Sequence, residues 1–201
     1  LSGRMSGIDL KSTSLTGGLS LSDIDGGWRV NSRDGKCLRL DTQGLAFGAI
    51  TLMPVTTDVC PDGSLFLEPR GAGLAGAARL GNVSLPINFS SGDGVLALSN
   101  ARIDWTSSEG LELSALADQL SLPMTIGEKT FSIDGNSPRI GVSTRTGADP
   151  KVSARMESTI FGGELIPANM SAQSFSFDGR SRKDGVAGHL EAMGVSISDY
   201  R

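Results

Sequence analysis

The chain has 201 residues and a formal net charge of -4 at pH 7. Its charges are scattered singly, so no basic stripe is present to neutralise phosphates, which argues against nucleic acid as a partner. Glycine occurs 27 times, aromatics make up 5% and histidine appears once, a composition of many turns and light side chains, and no window reaches the roughly 18 apolar residues of a membrane-spanning helix.

The start "LSGRMSGIDLKSTS" lacks the basic, apolar and small-residue sections of a signal peptide. From Leu19 onward the hydrophobic period is two: Leu19 and Leu21, then Leu38 and Leu40, Leu45 and Phe47 with Leu52 beyond, Leu65 and Leu67, and Val83, Leu85, Ile87 and Phe89. It continues through Leu96 and Leu98, Leu111 and Leu113, Phe131 and Ile133, Ile140 and Val142, Phe175 and Phe177, and Val195 and Ile197. Such runs place one apolar row on one face of a sheet. Between them stand turn signals such as "RDGK", "PDGS", "SSGDG", "DGNSP" and "DGRSRKDG". The expectation is an all-β meander of short antiparallel strands with few or no helices. Only "GLELSALADQLSL" reads both ways, as a helix or as strand, turn, strand. Without a composition shift or proline-rich linker, 1–201 reads as a single β-rich segment. The start at Leu1 and the end just after "GVSISDY" suggest a piece of a longer polypeptide.

No constellation of reactive groups emerges. His189 is alone, a zinc site would need several nearby His or Cys ligands, and no G-x-S-x-G elbow occurs. Asp23, Asp25, Asp104, Glu109, Glu112 and Asp118 read as solvated strand ends and turns rather than as a glycosidase pair. The glycines of "GAGLAGAARLG" lack the following helix and acidic residue of a dinucleotide fingerprint. Sequons at Asn82, Asn88 and Asn169 matter only in a eukaryotic secretory setting. No metal, cofactor or catalytic residue is expected. What remains is the apolar face, which could close against a second sheet or stay open as a groove.

The stretch "CLRLDTQGLAFGAITLMPVTTDVCPDGS", with its cysteine opening an apolar strand and a later "CP-x-G" element, resembles YdbH-like proteins of Gram-negative envelopes. "GAGLAGAARLGNVSL", "GVLALSNARIDW", "SSEGLELSALADQLSL" and "STIFGGELIPANMSAQSFSFDG" are similar to that family's repeated strand phrases. The resemblance implies membership of the AsmA-like and TamB-like group, with a long curved, mostly antiparallel sheet forming a groove that carries phospholipid between inner and outer membranes. It implies the periplasm, anchoring to the inner membrane by a segment outside this chain, and a partner lipoprotein at the outer membrane joined by strand addition. Groove candidates for acyl chains are Leu38, Leu40, Leu45, Phe47, Leu52, Leu65, Leu67, Leu96, Leu98, Leu111, Leu113, Phe175 and Phe177, with the inward parity left open. Cys37 and Cys60, an isolated pair without metal or redox spacing, then read as a disulfide staple in an oxidising compartment. The competing expectation is a structural or adhesive all-β module whose apolar rows form a closed core.

Overall fold

A computed structural model describes residues 3–5, 8–24, 27–62, 66–145, 148–166, 169–182 and 184–198. The fold is all-β. In chain order the strands are β1 (Gly3–Met5), β2 (Ile8–Leu10), β3 (Thr13–Thr16), β4 (Leu19–Ile24), β5 (Gly27–Ser32), β6 (Leu38–Thr42), β7 (Leu45–Phe47), β8 (Ile50–Leu52), β9 (Val55–Pro61) and β10 (Glu68–Arg70). The longer ones follow: β11 (Gly73–Phe89), β12 (Gly92–Ser107), β13 (Leu111–Leu116), β14 (Gln119–Ile126), β15 (Lys129–Ser143), β16 (Lys151–Gly162), β17 (Asn169–Arg182), β18 (Gly185–Met193) and β19 (Ser196–Ser198). One 3-10 turn at Arg33–Gly35 is the sole helical element among the described residues. Seventeen strands share one curved sheet, and β4 and β5 form a separate hairpin.

Two expectations resolve here. The stretch "GLELSALADQLSL" is strand, turn, strand: β13 ends at Leu116 and β14 starts at Gln119. The antiparallel meander stands, but its strands are not all short: β11, β12, β15, β16 and β17 run 12 to 17 residues each. "DGNSP" lies inside β15 rather than between strands. Its residues do interrupt the pleat, but they bend a continuing strand instead of ending it.

The bend has a common cause in neighbouring strands. Inward-facing positions recur every second residue, then step by three where the strand turns: Leu80 to Val83, Leu98 to Ala101, Gly135 to Pro138, Met156 to Thr159, and Ala172 to Phe175. One extra residue per strand is the signature of a β-bulge, which bends the strand and restores the same face beyond it. Four of these steps contain a residue with positive φ, namely Gly81, Asn100, Ser137 and Ser158. Between β13 and β14 the chain breaks pairing at the same level, around Ala117 and Asp118. Polar bonds knit the line of bends together. The Asn100 backbone N–H donates to Asn82 Oδ1 at 3.1 Å, and its Nδ2 donates to Asp118 Oδ2 at 2.6 Å. The Asp118 amide donates to the Ser99 carbonyl at 3.0 Å, and the Ser137 amide to the Asp118 carbonyl at 2.8 Å.

The sheet is therefore creased across its strands into two limbs. The first limb carries residues 73–79, 101–107, β13, 139–143, 151–157, 174–182 and β18; the second carries 83–89, 92–99, β14, 129–136, 159–162, 169–172 and β19. The apolar face is on the inside of the crease. Phe175 pairs with Met156 in the first limb, and Phe161 lies five residues beyond Met156 in the second. On a flat sheet five residues would set them roughly 16 Å apart along the strand. Their ring centroids are 5.5 Å apart, edge to face.

Candidate functional site

Each limb presents apolar rows running across the strands toward that crease. In the first limb, Ala78, Ile103, Ala115, Ile140, Ala154, Phe177 and Leu190 follow one another in register. The next row outward is Gly76, Trp105, Leu113, Val142, Val152, Gly179 and Gly188. In the second limb Leu85 faces Leu96, and Leu122, Ile133, Phe161, Met170 and Ile197 continue the series. The opposite face of the first limb is polar, with Arg79, Arg102, Arg139, Arg155, Ser176 and Glu191 in register around Leu116. On that face Arg102 meets Asp62 at 2.7 Å and Asp104 at 2.9 Å. The hydrogen bond and charge of Asp104, then the charge of Asp62, raise the proton affinity of its guanidinium.

The groove is filled at its floor and opens toward one end. At the crease Val83, Leu98, Ala101, Leu120, Met156, Phe161, Ala172 and Phe175 form a buried cluster. At the β11 end the first limb is covered by a smaller cluster of Leu38, Phe66 and Ala78 with Val59, Leu67 and Trp105. Toward β18 and β19 the inner rows emerge into solvent, where Leu190 is 57% and Ile197 62% exposed. Phe177 also shapes this end. Its ring lies along the strand over Gly179, where an added Cβ would come within 2.5 Å of Phe177 Cζ.

The expected groove residues fall into distinct places. Leu96, Leu98, Phe175 and Phe177 meet in the crease cluster, and Leu111 and Leu113 share the inner parity of β13. Leu38 and Leu67 belong to the covering cluster. Leu40 is half-buried on β6 opposite Leu15, away from both clusters. Leu45, Phe47 and Leu52 sit on the hairpin β7–β8, and Leu65 lies outside the described residues. Sequence reading missed Trp105, Met156, Phe161 and Phe66, three of which lie on the far side of a three-residue step or off the alternation altogether.

That hairpin does not lie flat in either limb. It is rooted on the second limb, where Thr51 and Leu52 pair with Asn88 and Ile87 of β11. Its turn contacts the first limb. Ser181 has the same parity as Phe175, Phe177 and Gly179, so its side chain is on the inner face, and it is fully buried. Its hydroxyl donates to the Phe47 carbonyl at 2.9 Å and accepts from the Ala49 amide at 3.1 Å. Gly48 occupies the turn with φ +60°, the position a two-residue hairpin gives to glycine. A Cβ on Gly48 would stand 2.5 Å from the Ser181 carbonyl oxygen. The hairpin thus spans the apolar side of the groove between the limbs.

The two cysteines bracket this hairpin and are joined as a Cys37–Cys60 disulfide, a bond at home in an oxidising compartment. It ties the start of β6 to β9, which is anchored through Cys60 and Pro61 on Arg79 and Ala78. Closing a loop of that length is worth roughly 3 kcal/mol in the chain-entropy view. His189 is exposed and pairs with Glu191 at 3.2 Å. Among the described residues no group of three metal-ligating side chains converges. Comparison of the chain with family models, with curated proteins and with solved structures finds no match in any of the three.

Proposed function

We propose that this chain is a non-enzymatic segment of a periplasm-spanning protein that shields phospholipid acyl chains in its groove as they pass between inner and outer membranes. The observation that carries the reading is the set of apolar rows running from strand to strand across the inner face, with their ends exposed at β18 and β19. Acyl chains cost about 0.8 kcal/mol per CH₂ to expose to water, so two chains need a continuous cover. A row perpendicular to the strands supplies that cover at every strand and can be extended by adding strands. Its side chains are apolar, mostly aliphatic with Trp105, Phe161 and Phe177 among them, and are suited to sliding contact rather than to a deep pocket with fixed polar groups. The disulfide fits the oxidising periplasm, and the family resemblance of the strand phrases supports the same assignment, including an inner-membrane anchor outside this chain and an outer-membrane lipoprotein partner.

The direct test places a photoreactive residue at Leu113 or Leu190 on the inner face and at Ser114 or Glu191 on the outer face, one position away on the same strands. The inner positions are expected to crosslink phospholipid in cells and the outer ones not. Equal labelling on both faces, with no phospholipid co-purifying by mass spectrometry, would leave the competing reading of a closed structural module.

A further inference from the structure

We infer that the hairpin β7–β8 is a strap that controls access of acyl chains to the groove, held shut by Ser181; this rests on the lipid reading above and assigns that same site its regulation. The strap joins parts of the sheet that are distant in the strand order. It leaves the second limb at β11, yet its turn docks on β17, with β12 to β16 lying between them in the sheet. Because the Ser181 side chain belongs to the inner parity, the hairpin crosses over the apolar side and not around the back.

The contact is specific in three ways. Both hydrogen bonds converge on one hydroxyl that is fully shielded from water. The turn approaches so closely that only glycine fits at position 48. The buried ring of Phe47 sits at the last residue before the turn. Against this, the attachment is narrow: three turn residues meet one serine, β7 and β8 are three residues each, two register pairs hold β8 to β11, and on the other side three pairs join β7 to β2, itself a strand of three residues. A short hairpin with few ladder bonds opens at low cost relative to the long strands beneath it. The disulfide lies outside β7 and β8: it closes the β6–β9 ladder that flanks the hairpin and is fixed to the first limb through β9, so the flanking strands stay in place while the tip moves. The chain's only two cysteines thus flank the hairpin whose root lies on one limb and whose turn docks on the other.

The test combines two release variants with two readouts on the oxidised chain. Ser181→Ala removes both hydrogen bonds, and Gly48→Ala forces the turn off the serine. Amide hydrogen exchange of residues 45–52 is expected to rise at least about tenfold in both, given the usual worth of two buried hydrogen bonds, with residues 96–98 unchanged. Uptake of a fluorescent phosphatidylglycerol analogue from vesicles is expected to speed up by a similar factor. If exchange in 45–52 stays at the wild-type rate in both variants, Ser181 is not the anchor and the inference fails. If exchange rises while uptake by wild type and variants is equally fast, the hairpin is a structural brace and the strap alone is overturned. If none of the three proteins takes up the analogue, the lipid reading falls and the strap falls with it.

Discussion

Two fully buried hydroxyls on the inner face, Ser181 and Thr159, illustrate opposite uses of a polar group. Ser181 has two backbone partners across the groove, so its burial is compensated and its loss is felt where the hairpin docks. Thr159 lies just past the crease in β16, and its Oγ1 has no hydrogen-bond partner. A buried unpaired hydroxyl costs about 1–3 kcal/mol relative to an apolar group of the same shape. Thr159→Val, which exchanges the hydroxyl for a methyl without enlarging the side chain, is therefore expected to raise stability by about 1 kcal/mol. For a chain of this size that corresponds to a rise in melting temperature of about 2–4 °C. Thermal and urea unfolding of the two proteins side by side would check this, and a loss of stability would show that the hydroxyl is bonded after all.

At the scale of the strand, the three-residue step sets the architecture. Leu96 and Leu98 face inward, and so do Ala101, Ile103 and Trp105, because Asn100 takes up one residue at φ 50°. Deleting Asn100 would restore strict alternation and turn Ala101, Ile103 and Trp105 to the polar face, since a slip of one residue flips every side chain beyond it. The expected outcome is a protein that loses the near-ultraviolet signal of a packed tryptophan and aggregates, whereas Asn100→Gly, which keeps the count and the positive φ, stays folded. A deletion variant with wild-type spectra would refute the step as the origin of the crease. The alternation itself is legible in the sequence: the pairs Leu96/Leu98, Leu111/Leu113 and Phe175/Phe177 all face inward. The crease is legible in principle, as intervals of two, two, three, two, but only "DGNSP" stands out as a turn signal, and it reads as a break between strands. Ser158 and the step from Ala172 to Phe175 carry no such mark, so Phe161 looks out of phase with Met156. The docking of the hairpin has no sequence signal at all. Nothing in "LAFGAI" names a serine 132 residues away as its partner, and long-range docking on one hydroxyl leaves no periodic trace.

For the molecule as a whole, the decisive physical property is the difference between its two faces, and it can be tested one residue at a time. Val152 and Ser153 are neighbours on β16 in the first limb. Val152 stands in the inner row between Val142 and Gly179, and Ser153 on the outer face between Gly141 and Asp178. Both are half-buried, so a charge at either site keeps a route to water and the two substitutions disturb folding by comparable amounts, within about 1–2 kcal/mol on the usual scale of single mutations. Their effects on an apolar conduit differ. If the inner rows carry acyl chains as proposed, Val152→Glu places a carboxylate in their path. A chain sliding past would have to strip its water or leave the groove, and desolvating an unpaired charge costs far more than the burial of a few CH₂ groups at that point returns. Ser153→Glu adds the same charge to a face already lined with Arg139, Arg155 and Asp178, on the other side of the sheet from the proposed acyl path. The expected result is that Val152→Glu lowers co-purifying phospholipid several-fold while Ser153→Glu retains the wild-type amount, with both proteins showing the same β-rich circular dichroism. Equal retention by the two variants would mean that the inner rows do not carry lipid, because a closed core and an open conduit respond in opposite ways: a core loses stability first, a conduit loses its cargo first.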